Sequence, residues 1–108
     1  MELEALRDRA VAVAELYDRY HLAAGREAWS RADLALGFVG DVGDLAKLVL
    51  ALDGRREIAG ARGLLGHELA DCLWSILVLA DRFDVDLAAE FGRMTDEVER
   101  HLRGQDRS

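Results

Sequence analysis

A chain of 108 residues, 51% of them hydrophobic and none of them proline, fits one globular domain spanning residues 1–108 and excludes an intrinsically disordered polymer. The formal net charge of −7, with no local stripe of Lys and Arg to offset it, argues against a nucleic acid polymer or an anionic membrane surface as partner. The lone cysteine, Cys72, has no partner for an internal disulfide. No signal-peptide pattern opens the sequence and no apolar run reads as long enough to span a bilayer, so the expected location is cytoplasmic.

Alternating Val/Thr/Tyr runs are missing, and the patterning predicts an all-α fold of four helices. The first runs from about Leu3 to Tyr20, with Leu6, Ala10, Val13, Tyr17 and Tyr20 stepping along one face. Gly25 breaks that pattern. Ser30 followed by Asp33 resembles a capping box with aspartate in place of glutamate, and a second helix follows from about Arg31 to Leu52. The stretch DGRREIAGARG, residues 53–63, holds three glycines and three arginines and reads as a loop. A third helix spans about Leu64 to Arg82. Asp84 or Asp86 caps a fourth, which carries Leu87, Phe91, Met94, Val98 and Leu102 at helical spacing and is expected to stop at Gly104.

Helices one and four are amphipathic. Helices two and three are apolar around most of their circumference, which predicts that they form an inner pair. Two flanking helices cannot cover such a pair in a chain this short, so the expectation is a homodimer or homotetramer in which a second subunit covers the remainder.

Those two helices nevertheless carry acids. GDVGDLAKLVL, residues 40–50, places Asp41 and Asp44 three apart among leucine and valine, and HELADCLW, residues 67–74, does the same with Glu68 and Asp71. Residues three apart share a helix face, and the chain between Asp44 and Glu68 is long enough to return antiparallel, so the two pairs can face each other. Other pairs at this spacing, Glu15/Asp18, Asp81/Asp84 and Asp96/Glu99, lie among polar neighbours and read as solvated faces. Burying an unpaired carboxylate costs several kcal/mol, and like charges close together raise that cost. Clustered carboxylates without paired His or Cys are hard oxygen ligands, which suit Mg²⁺ or Mn²⁺ better than zinc. The bland alternative is that Asp41 and Asp44 lie at the bundle edge and face water.

The two motifs together resemble the MazG-like all-α nucleoside triphosphate pyrophosphohydrolases. The family pattern is Glu-Glu-x-x-Glu on one helix and Glu-x-x-Asp on the next. HELADCLW resembles the second motif with Glu68 and Asp71 intact, DVGDLAKLV resembles the first, and Val85-Asp86-Leu87 is similar to a common family ending. The resemblance covers roughly Tyr20 to Leu102. It implies a four-helix unit packing into a multi-subunit bundle, and hydrolysis of a (d)NTP to the (d)NMP and pyrophosphate. It further implies that Asp41, Asp44, Glu68 and Asp71 are metal ligands for Mg²⁺ or Mn²⁺, with Asp41, Glu68 and Asp71 the catalytic set. Lys47 beside the acids and Arg55 and Arg56 in the loop are candidates to steady the phosphates. Trp29, in the polar connector before helix two, is the candidate to stack on the base, whereas Trp74 reads as core. His21 is expected to cap or pack at the end of helix one.

The first motif departs from the pattern. The leading glutamate falls on Gly40, and the next two are the shorter Asp41 and Asp44. Gly40 and Gly43 also cost on the order of 1 kcal/mol each in helix propensity against alanine, which suggests close helix contact or ligand approach there. Two expectations follow: a hydrolase with fewer or weaker metal sites, or a catalytically impaired relative that serves as a nucleotide-binding or oligomerisation module.

Overall fold

The computed structural model describes residues 2–55 and 57–106. Four helices follow one another, α1 (Leu3–Ala23), α2 (Arg31–Leu52), α3 (Ala61–Arg82) and α4 (Leu87–Asp106), and no strand occurs among the described residues. The all-α architecture therefore stands.

The ends of the helices follow local chemistry. Ser30 Oγ accepts from the Asp33 N–H and the Asp33 carboxylate accepts from the Ser30 N–H, a complete capping box that starts α2. Ser30→Ala is expected to lower global stability by about 1 kcal/mol, read as a shifted urea midpoint at unchanged slope. Asp86 caps α4 by accepting from the Ala89 N–H at 3.1 Å.

Three helices end alike. At the end of α1, Gly25 adopts φ +75°, and the N–H groups of Gly25 and Arg26 donate to the carbonyls of Leu22 and His21. Gly54 and Arg55 repeat this after α2, and Asp84 and Val85 after α3, where Asp84 takes φ 55° without being glycine. Each is a pair of backbone bonds that satisfies carbonyls the helix leaves free. Helix α1 consequently runs three residues past the expected Tyr20. The third helix starts at Ala61 rather than Leu64, behind Gly60 at φ 70°. Helix α4 continues through Gly104 to Asp106.

Helix α3 is the centre of the molecule. It packs against both α2 and α1, and it contributes Cys72, Ser75, Leu77, Val78 and Ala80 to the interior. The core joins Ala10 and Ala14 of α1, Leu34 of α2 and Leu77 and Val78 of α3, with Leu3, Leu6, Trp74, Leu79 and Leu87 against them. Trp74 Nε1 donates to the Ala10 carbonyl at 3.2 Å and ties α3 to α1, the structural role expected of it. The two helices expected to pair do pack on each other, and each keeps an uncovered apolar side in the single chain, Leu36 and Val39 on α2 and Leu69 and Leu73 on α3. The face of α1 also shifts. Drift of the 3.6-residue period carries burial from Ala10 and Ala14 to His21, and leaves Tyr20 exposed.

Another expectation needs correction. By length and composition α3 is long and apolar enough to cross a membrane, with a mean hydropathy of 1.4 over an 18-residue window. In the single chain it packs against α1 and α2, carries Glu68 and Asp71 near its middle, and leaves most of its surface uncovered.

Candidate metal centre

The shared face of α2 and α3 is a seam. Along this face run Leu34, Phe38, Asp41, Leu45 and Leu48 of α2 and Ala61, Leu65, Glu68, Cys72, Ser75 and Leu79 of α3, all buried or half-buried; Ala51 of α2 and Asp71, Trp74, Leu77, Val78, Ala80 and Arg82 of α3 are buried or half-buried beside them. Both runs alternate steps of four and three, the spacing of a packed helix pair. Asp41 and Glu68 therefore occupy positions at which this pattern places an apolar side chain. Asp44, one turn beyond Asp41, lies at the exposed edge.

The three acids converge. One carboxylate oxygen from each of Asp41, Asp44 and Glu68 lies within 4.8 Å of the other two. Oxygens around a bound Mg²⁺ are roughly 3 Å apart when adjacent and roughly 4.2 Å apart when opposite, so the three carboxylates must draw together to share one ion. Glu68 Oε2 is buried and accepts no hydrogen bond among the described residues. Burial first, and then the charges of Asp71, Asp41 and Asp44, push the Glu68 carboxyl above its ordinary pKa, with His67 opposing them weakly. Burial and then Asp41, Glu68 and Asp71 likewise push up the Cys72 thiol, so Cys72 is a buried, protonated neighbour of the acids. An orphaned buried oxygen in a knot of like charges is a site that a divalent cation fits by charge and by ligand chemistry.

Asp71 stands apart. It is not among the three converging acids, and its Oδ2 lies 3.2 Å from His67 Nε2, one turn back on α3. The inward positions of α3 step from Glu68 to Cys72, so Asp71 is turned to the side of the seam. Its charge still reaches Glu68.

Beside Asp41 opens a cleft of about 330 Å³ lined by Trp29, Asp33, Leu34, Gly37, Asp41, Trp74 and Ser75. Its volume lies at the lower end of the range of small-molecule sites. Trp29 forms its rim, with its ring 4.9 Å from that of Tyr17 and 4.6 Å from that of His21. The Trp29 carbonyl accepts from Arg82 at 3.3 Å, and Arg82 also pairs with Asp18 at 3.6 Å, which pins the connector to the ends of α1 and α3. His21 packs at the end of α1 as expected, buried in this aromatic cluster with Nε2 unpartnered.

The basic candidates differ in placement. Lys47 is exposed on α2, one turn from Asp44, and forms no ion pair among the described residues. Arg55 is exposed in the connection, its N–H held by the Leu50 carbonyl. Arg56 lies outside the described residues. A Cβ at Gly40 meets nothing within 4 Å, and neither does one at Gly43, so no other part of this chain uses the close approach those glycines permit.

Comparison of the chain with protein-family models, curated proteins and solved structures finds no match.

Proposed function

We propose that this chain is a Mg²⁺- or Mn²⁺-dependent hydrolase of the MazG-like kind, cleaving a (d)NTP to the (d)NMP and pyrophosphate. The observation that carries the reading is the convergence of Asp41, Asp44 and Glu68 within 4.8 Å, with the buried Glu68 Oε2 left unpartnered. In this reading Asp41, Asp44 and Glu68 hold the cation. Asp71 holds His67 and adds negative potential. Bound there, the cation supplies charge neutralisation and Lewis acidity to the phosphates. The cleft next to Asp41 admits the nucleoside, with Trp29 available to stack on a base. The exposed ammonium of Lys47 steadies the distal phosphates as they leave, and Arg55, beyond the C-terminal end of α2, adds positive charge. The Glu68 carboxyl, raised in basicity by burial and then by its acidic neighbours, also serves to orient a water for in-line attack.

The test is direct. The purified chain is incubated with ribo- and deoxynucleoside triphosphates and Mg²⁺ or Mn²⁺, and pyrophosphate and monophosphate are measured together. Equimolar formation of both is expected. Absence of pyrophosphate with every nucleotide and both metals contradicts the reading.

Gly40 favours a second reading, a binding module that has lost turnover, since the first family glutamate is missing. Calorimetry that finds nucleotide and metal bound without product supports this alternative. Position 40 shares a helix face with Asp44, and a side chain there has room. Gly40→Glu is accordingly expected to tighten Mn²⁺ binding by on the order of tenfold, since affinity rises with ligand charge. Calorimetric titration reads the change, and an unaltered affinity means that position 40 does not reach the site.

A further inference from the structure

We infer that the cleft beside Asp41 selects a nucleobase with an exocyclic amino group, cytosine or adenine, over its keto counterpart, and that Asp33 and Ser75 read that edge. The inference rests on the nucleotide reading above and adds to it a preference among bases. It begins with polar atoms that the fold leaves idle. The Ser75 side chain is 4% exposed, yet it lines the cleft, and its hydroxyl has no hydrogen-bond partner among the described residues. A buried hydroxyl is ordinarily bonded, so one left free on a cavity wall is available to whatever fills the cavity. Asp33 supplies a second such group. Its Oδ2 accepts from the Ser30 N–H at 3.0 Å within the capping box, which holds the carboxylate in place, and its Oδ1 has no partner among the described residues.

The cleft runs along α2. Asp41 stands at the cation end, and Asp33 lies eight residues back, about 12 Å along the helix axis. On α3, Ser75 lies seven residues beyond Glu68, roughly 10 Å along that axis. Phosphates held at Asp41, Asp44 and Glu68 therefore leave the base beside Ser75 and Asp33, with Trp29 to stack on it. The wall between Asp33 and Asp41 includes Gly37, where an added Cβ meets nothing within 4 Å. A ring can lie against the bare backbone there.

The choice of edge follows from which groups donate. The carboxylates of Asp33 and Asp41 accept hydrogen bonds and give none, and no Lys, Arg, Asn, Gln or His side chain lines the cleft. The amino group of cytosine or adenine donates to Asp33, and the Ser75 hydroxyl serves the ring nitrogen next to it. A keto oxygen in the same place sets acceptor against acceptor, so both stay unbonded and repel each other.

Pyrophosphate release with Mg²⁺ is compared for dCTP against dUTP and for ATP against ITP, pairs that contrast an amino with a keto edge. The amino member is expected to be favoured at least about tenfold in kcat/KM, within the range of one well-placed base contact. Calorimetry with the monophosphates dCMP and dUMP reads the same contrast without turnover. Asp33→Asn keeps an oxygen for the Ser30 N–H and offers an NH₂ group to the cleft, so the preference is expected to reverse toward dUTP, in KM more than in kcat. Gly37→Leu is expected to weaken nucleotide binding at least about 100-fold while Mn²⁺ uptake persists, because the leucine takes the space of the ring. Equal kcat/KM within both pairs, or a preference for the keto member, overturns the inference and leaves the hydrolase reading standing. Neither turnover nor binding of any nucleotide overturns both. The dCMP and dUMP titrations decide the matter even if Asp33→Asn fails to fold.

Discussion

Glu68→Gln is expected to lower Mg²⁺-dependent pyrophosphate release by at least about 100-fold while making the metal-free protein more stable. Residues that merely support a metal ligand already cost 10–100-fold when mutated, so loss of a ligand charge reaches at least the top of that range. The gain in stability has a separate origin. The Glu68 carboxyl is half-buried, has an unpartnered oxygen and sits among three like charges, and an isosteric amide removes the charge but keeps the shape.

The same burial fixes a pH signature. The folded-state pKa of Glu68 is raised above its ordinary 4.5. Between 4.5 and that raised value the folded chain holds a proton that the unfolded chain has already released. Stability must then fall as pH rises through that window, and the glutamine variant lacks this component. Thermal melts with a chelator present, at stepped pH from about 5 upward, compare the two proteins. Melting curves of wild type and variant that track each other at every pH contradict the assignment. Saturating Mg²⁺ is expected to stabilise wild type and not the variant.

Leu77→Ala is the second large effect, on stability and not on chemistry. Leu77 is 3% exposed and lies where α1, α2 and α3 meet around Val78. Truncating a buried leucine costs about 2–5 kcal/mol, a large share of the roughly 5–15 kcal/mol that holds a domain of this size. The expected loss of about 3 kcal/mol is read from denaturant unfolding. Leu36→Ala, on the exposed face of α2, is the control and changes the stability of the isolated chain by under about 0.5 kcal/mol. A loss at Leu77 no larger than at Leu36 means that the three helices do not share this core.

Local chemistry was legible in the sequence, because it depends on neighbours a few residues apart. Ser30 with Asp33, and Asp86 before Leu87, are caps written within four positions, and the structure contains both. The convergence of Asp41, Asp44 and Glu68 was also legible, since an acid in a run of leucine and valine must answer for its burial. Asp71 was harder. A spacing of three places two residues on the same side of a helix, but the packed seam steps from Glu68 by four to Cys72, and His67 takes the carboxylate left beside it. That His21 packs at the end of α1 was legible but its full burial was not, because the tenths of a residue by which the helical period exceeds three and a half accumulate along the helix. The path of α4 was not legible at all. Its amphipathic stripe says that something covers it, but periodicity within one helix does not name the surface that does.

The central claim is that Asp41, Asp44 and Glu68 hold a divalent cation between α2 and α3. Titration of the chain with Mn²⁺, following the electron paramagnetic resonance signal of the free ion, tests it without reference to any substrate. The account predicts saturable uptake by wild type and affinity at least about tenfold weaker in Glu68→Gln. A wild type that leaves the Mn²⁺ free in solution, or a variant that takes it up as tightly, contradicts it.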